Sequence, residues 1–159
     1  MAMHTWFECK IRYEKVMENG MQKKVTEPYL VDALSFTEAE ARIIEEMTPF
    51  ISGEFTVSDI KRANYSELFP SDEESADRWF KCKLIFITLD EKSGAEKKTS
   101  TQVLVQAADL RDAVKKLDEG MKGTIADYQI GMVSETPLMD VYPYSAEPND
   151  KPEFDPSKA

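Results

Sequence analysis

One five-residue pattern occurs twice in this chain and limits its possible folds more than any other feature. Trp6-Phe7-Glu8-Cys9-Lys10 returns 73 residues later as Trp79-Phe80-Lys81-Cys82-Lys83, with four of five positions identical. These two segments hold both tryptophans and both cysteines. The match continues outward. With Ser93 treated as an insertion, Gly20 falls on Gly94, Lys23-Lys24 on Lys97-Lys98, Leu30-Val31 on Leu104-Val105, Ala39 on Ala113 and Met47 on Met121. One residue is lost after Met121, and Leu68-Phe69-Pro70 then aligns with Val141-Tyr142-Pro143. A repeat settles architecture before single elements are assigned. The sequence therefore predicts one structural unit used twice, over 6–70 and 79–143.

Hydrophobic periodicity gives the elements of each unit. Phe7, Cys9, Ile11 and Tyr13 alternate with Glu8, Lys10, Arg12 and Glu14, the pattern of a half-buried strand. Phe80, Cys82, Leu84 and Phe86 repeat it, while Ile85 and Ile87 also make the second face apolar, as in a strand covered on both sides. Glu18-Asn19-Gly20 and Lys92-Ser93-Gly94 supply turn chemistry, so second strands are expected near 22–33 and 96–107. A helix follows in each block. Phe36, Ala39, Ile43 and Met47, and then Leu110, Ala113, Leu117 and Met121, recur at i, i+3, i+7 and i+11 and share one face. Ser35-x-x-Glu38 and Asp109-x-x-Asp112 provide N-terminal caps. Third strands near 54–60 and 127–133 and short extended segments at 64–69 and 137–142 complete each block.

The expected fold class is α+β: two ββαβ(β) units related by internal duplication, with mainly antiparallel sheets. A 65-residue unit buries only about 60% of its unfolded surface and is marginal alone. The two repeats are therefore expected to pack as one globular domain, in a pseudo-two-fold arrangement that makes equivalent apolar patches self-complementary. Residues 71–78 read as an acidic, solvated connector, and the Pro-rich segment 144–159 as an extended tail.

A net charge of −10 repels nucleic-acid phosphates and anionic membrane surfaces over most of the exterior. Two cysteines and the absence of a basic-then-apolar leader predict a cytoplasmic protein without a disulfide framework, and no apolar run approaches membrane-spanning length.

Catalytic constellations are not recognisable in the sequence. Cys9 and Cys82 sit on inward strand positions with no basic neighbour on that same face to activate a thiol, and read as small buried hydrophobes. His4, the single histidine, precedes the first strand, which leaves a Cys-His or Ser-His-Asp mechanism without an ordered base. The spacings of metal sites and of phosphate-binding glycine loops are absent. Glu38, Glu40, Glu45 and Glu46, with Asp112, Asp118 and Glu119, are numerous enough to imagine a carboxylate-dependent hydrolase, but lie off the apolar helix stripes as solvated charges do.

One constellation exceeds composition. On the strand face opposite the cysteines, Trp6 and Lys10 lie two pleat steps apart, and Trp79 and Lys83 repeat the arrangement. Aromatic planes beside cations suit single-stranded nucleic acid, and Lys23, Lys24, Lys97 and Lys98 would extend the basic strip. Strand-opening tryptophans more often pack internally, or contact a protein partner.

With the Trp6–Lys10 start and the helix entry Ser35-Phe36-Thr37-Glu38-Ala39-Glu40-Ala41, the chain resembles an uncharacterised family of short acidic proteins from Bacteroidetes and related mobile elements, catalogued as a domain of unknown function. That resemblance implies no activity, cofactor or catalytic residue. The expectation is a non-enzymatic binding or assembly protein with a protein partner, contacted through Trp6, Lys10, Trp79 and Lys83 or the groove between the repeats. Nucleic-acid association, direct or by acidic mimicry, is the alternative.

Overall fold

The computed structural model describes residues 5–143, and among these the alternating, turn and capping signals give eight strands and two helices. In chain order these are β1 (Trp6–Val16), β2 (Gln22–Asp32), α1 (Phe36–Met47), β3 (Phe55–Ala63), β4 (Glu67–Phe69), β5 (Arg78–Leu89), β6 (Glu96–Ala107), α2 (Leu110–Gly120), β7 (Tyr128–Glu135) and β8 (Asp140–Tyr142). The fold is α+β with two mixed sheets of four strands each. The turns expected after β1 and β5 are reached through Gly20 (φ 82°) and Gly94 (φ 72°), a region that other residues enter only with strain.

Two compact units divide the chain. One runs to Ala63 and resumes at Met139; the other is Asn64–Leu138. In the first unit the strand order is β3-β1-β2-β8, with β1 antiparallel to β2 and β3 and with β8 parallel to β2. The second unit repeats this order as β7-β5-β6-β4, with β4 parallel to β6. The units thus do not follow blocks 6–70 and 79–143 strand for strand, because each short final strand joins the sheet of the other block. Both junctions are pinned by backbone bonds: Ser66 N–H donates to Gln102 O at 2.8 Å and Met139 N–H to Pro28 O at 2.9 Å.

Each helix closes one core. Ala39, Ile43 and Met47 are buried against Phe7, Cys9, Ile11 and Val31. Ala113 and Leu117 are buried against Phe80, Cys82, Leu84, Val103 and Val105. The first residue of each expected stripe, Phe36 or Leu110, is half exposed at the helix entry, although the Phe36 ring meets Phe7 edge-on at 4.9 Å. The helix starts are capped twice over. Ser35 Oγ accepts from Glu38 N–H at 3.1 Å and Asp109 Oδ1 from Asp112 N–H at 2.8 Å. In return, Glu38 and Asp112 accept from Leu34 and Ala108 N–H, so otherwise orphaned donors are satisfied.

Two further expectations need adjustment. The 71–78 connector is not wholly solvated, since Ala76 is buried and Ser71 and Glu73 bind Lys116 of α2. Ile85 and Ile87 are only half-buried. His4 and the expected 144–159 tail lie outside the described residues.

Candidate functional site

The sequence-selected aromatic–lysine face does not survive as an open surface. Trp6 and Trp79 are only 3% and 5% exposed, so neither ring offers a face on which a base could stack. Lys10 and Lys83 are half-buried, and register places Lys10 opposite Asp59, an acid that opposes anion binding. Lys83 lines a shallow 340 Å³ depression with Asn64 and Gln102. The flanking lysines form no continuous strip either. Lys24 pairs with Glu14 and Lys98 with Ile87, on the Lys10 and Lys83 faces, whereas Lys23 and Lys97 fall one residue away and point to the other side.

The thiols are buried and free. Burial, with lesser contributions from Glu8 and Asp59, pushes Cys9 up to about 12, and burial pushes Cys82 up to about 11, the opposite of the shift that makes a nucleophile. Among the described residues no group of three His, Cys, Asp or Glu side chains could hold a metal ion.

Sequence reasoning missed the most distinctive cluster in the first unit. Tyr13 on β1 and Tyr29 on β2 both donate through their hydroxyls to Glu27 Oε1, at 2.9 and 3.3 Å, and Lys15 reaches Glu27 Oε2 at 3.5 Å. The Glu27 side chain is 12% exposed. On its other side Tyr29 stacks on Tyr142 of β8, with ring centres 6.2 Å apart and planes 20° from parallel. These rings, with Met47, Phe50, Met139 and Asp140, line a notch of about 240 Å³. Burial, with Glu27 beside it, pushes the Tyr29 phenol well above its usual range; burial, with Asp140 and Glu46 nearby, pushes Tyr142 up to about 12.

Positions in matching register of the second unit show that the scaffold does not need these groups. Opposite Cys9 stands Tyr29, but opposite Cys82 stands Val103; opposite Ile11 stands Glu27, but opposite Leu84 stands Thr101. An apolar or small side chain serves the same site in the sheet, and burying a carboxylate costs free energy unless it is fully bonded. The available sequence signal was Glu27 itself, an acid at an inward position of β2.

The second unit instead has a shallow groove of about 730 Å³ between β4 and α2, lined by Phe69, Ser71, Glu73, Lys116 and Gly120 among others. Lys116 Nζ fills its polar side, 2.9 Å from Glu73, 3.0 Å from Asp112 and 3.1 Å from Ser71 Oγ. Burial alone would lower the Lys116 pKa, but these carboxylate partners outweigh it and raise it.

No helix among the described residues is long and apolar enough to cross a membrane. A family model described as Domain of unknown function (DUF4494) matches residues 5–144. No curated protein and no solved structure matches the chain.

Proposed function

This chain belongs to the DUF4494 family, a domain of unknown function, and from that premise we propose that it is a non-enzymatic, cytoplasmic binding or assembly protein on a duplicated scaffold. The duplication reading is supported by the shared strand order of the two sheets and the matched helix caps. The binding surface is the tyrosine-lined notch of the first unit, and the partner is a protein. One observation carries this reading: Phe50 and Met139 are 76% and 50% exposed beside the stacked Tyr29–Tyr142 pair. Aromatic and methionine side chains grouped around a concavity are what protein contacts use as anchors. The buried tryptophans speak against direct single-strand nucleic-acid contact through Trp6 and Trp79, and no observation favours a carboxylate hydrolase.

The test is capture from host extract by the immobilised full chain, compared with the double variant Phe50→Ser/Met139→Ser, whose exposed positions leave the core intact. A protein retained by the wild type and lost by the variant supports the reading. An unchanged set of captured proteins overturns it, as would turnover of a defined substrate abolished by a notch substitution.

A further inference from the structure

We propose, resting on the binding reading above, that the notch of the first unit receives the guanidinium group of an arginine side chain carried by the partner. Three physical features converge there. First, a notch of about 240 Å³ is smaller than the roughly 300 Å³ at which sites for drug-sized ligands begin, but suits one side-chain head group. Second, Tyr29 and Tyr142 present stacked rings, and a guanidinium stacks on tyrosine as an ammonium does not. Third, acidic side chains face it. Asp140 lines the notch, Glu46 acts on Tyr142 from α1, and α1 ends beside it with Glu45, Glu46 and no basic residue in its last turn. A helix carboxyl end favours cations, so acids placed there are locally unfavourable until a positive charge arrives.

Among the described residues the nearby cations are already engaged elsewhere. Arg42 donates to the backbone carbonyls of Asp32 and Pro143, and Lys15 is engaged by Glu27. Asp140 Oδ1 accepts from Val141 N–H at 2.8 Å, and neither Asp140 nor Glu46 forms an ion pair among the described residues. The groove of the second unit differs in holding a cation of its own, Lys116, which pairs with Glu73 and, along α2, with Asp112.

Nα-acetyl-arginine methylamide, titrated into the full chain while the tyrosine ring resonances are followed by NMR, tests the assignment. The lysine and citrulline analogues serve as probes of shape and charge. The arginine compound should give saturable shifts of Tyr29 and Tyr142, the lysine compound weaker ones, and the neutral citrulline compound none. Asp140→Asn, at an exposed position, should weaken arginine binding about two- to fivefold, as loss of one exposed charge partner does, and Tyr142→Leu should remove the shifts at Tyr29. Absence of saturation, equal response to citrulline, or indifference to Asp140→Asn would overturn the guanidinium assignment. If the arginine probe fails while Phe50→Ser/Met139→Ser still loses the partner, docking at the notch stands and only the head-group assignment falls. If both fail, the binding reading falls with it.

Discussion

Gly120→Ala should destabilise the second unit, although helix propensity alone says the reverse. Gly120 closes α2 with an ordinary φ, so alanine fits its backbone, and the reduced freedom of the unfolded chain would stabilise by about 0.4–1 kcal/mol. Against this, a Cβ built there lies 2.8 Å from both Cδ1 and Cε1 of Phe69 and 3.0 Å from Cγ. Carbon pairs rest at about 3.5–4.0 Å, so the ring must retreat by most of an ångström. Phe69 cannot do so freely, since it packs on the second core and its strand is bonded to Val103, Leu104 and Val105. Overpacking of this kind costs about 1–3 kcal/mol. The expected net loss is about 0.5–2 kcal/mol, read as a lower urea midpoint with unchanged slope. Phe69→Ala removes the obstacle, so Gly120→Ala should become neutral or stabilising in that background, with a coupling of about 1 kcal/mol or more in the double-mutant cycle. A Gly120→Ala protein more stable than wild type would refute the seating of Phe69 against α2.

Other outcomes follow from the same geometry. Native Cys9 and Cys82 should react with a disulfide reagent at pH 8 roughly a hundred- to a thousandfold more slowly than in urea, because raised pKa values leave little thiolate; a fast native phase would contradict their burial. A thiol pKa raised from 9.0 to about 12 contributes stability that is whole below pH 9 and is lost as pH rises toward 12, so Cys9→Ser should flatten the alkaline arm of the stability profile between those limits. Spectrophotometric titration should find phenols ionising near pH 12, where Tyr13 and Tyr142 are pushed by burial and neighbouring carboxylates, and Glu27→Gln should bring the Tyr13 transition down. Fragment 64–138 should unfold cooperatively, whereas 79–143 should not, since Phe69, Ser71 and Glu73 all lie upstream of residue 79.

Much of the local structure was legible because local chemistry decides it. The Ser35 and Asp109 caps, the positive-φ turn glycines and the helix stripes each depend on residues a few positions apart. Faces were less legible. Strand alternation put Trp6 and Trp79 on the side away from the cysteines, but alternation assigns a side and cannot say whether that side is covered. Both tryptophans proved buried. The notch was invisible for another reason: Tyr29, Phe50 and Tyr142 come from three distant segments, and only the pairing of β8 with β2 makes neighbours of the first and last.

That pairing also explains why strand partnership could not be read from the repeat. The edge offered to a fourth strand is Leu30-Val31 in one sheet and Leu104-Val105 in the other, the same two residues in the same order. The strands that dock there, Leu68-Phe69 and Val141-Tyr142, share the same alternation. Each could add to either edge with its apolar side chains on the same faces, so periodicity leaves the own-block and other-block pairings degenerate. The degeneracy is broken by contacts that differ between the halves. Phe69 fits over Gly120, where a side chain would collide, whereas Tyr142 stacks on Tyr29, whose place opposite Cys82 is taken by Val103. Similar segments thus make the scaffold easy to recognise and its final strand pairing hard to assign. The few positions at which they differ select the pairing, and they are also where the first unit acquires its tyrosine-lined notch.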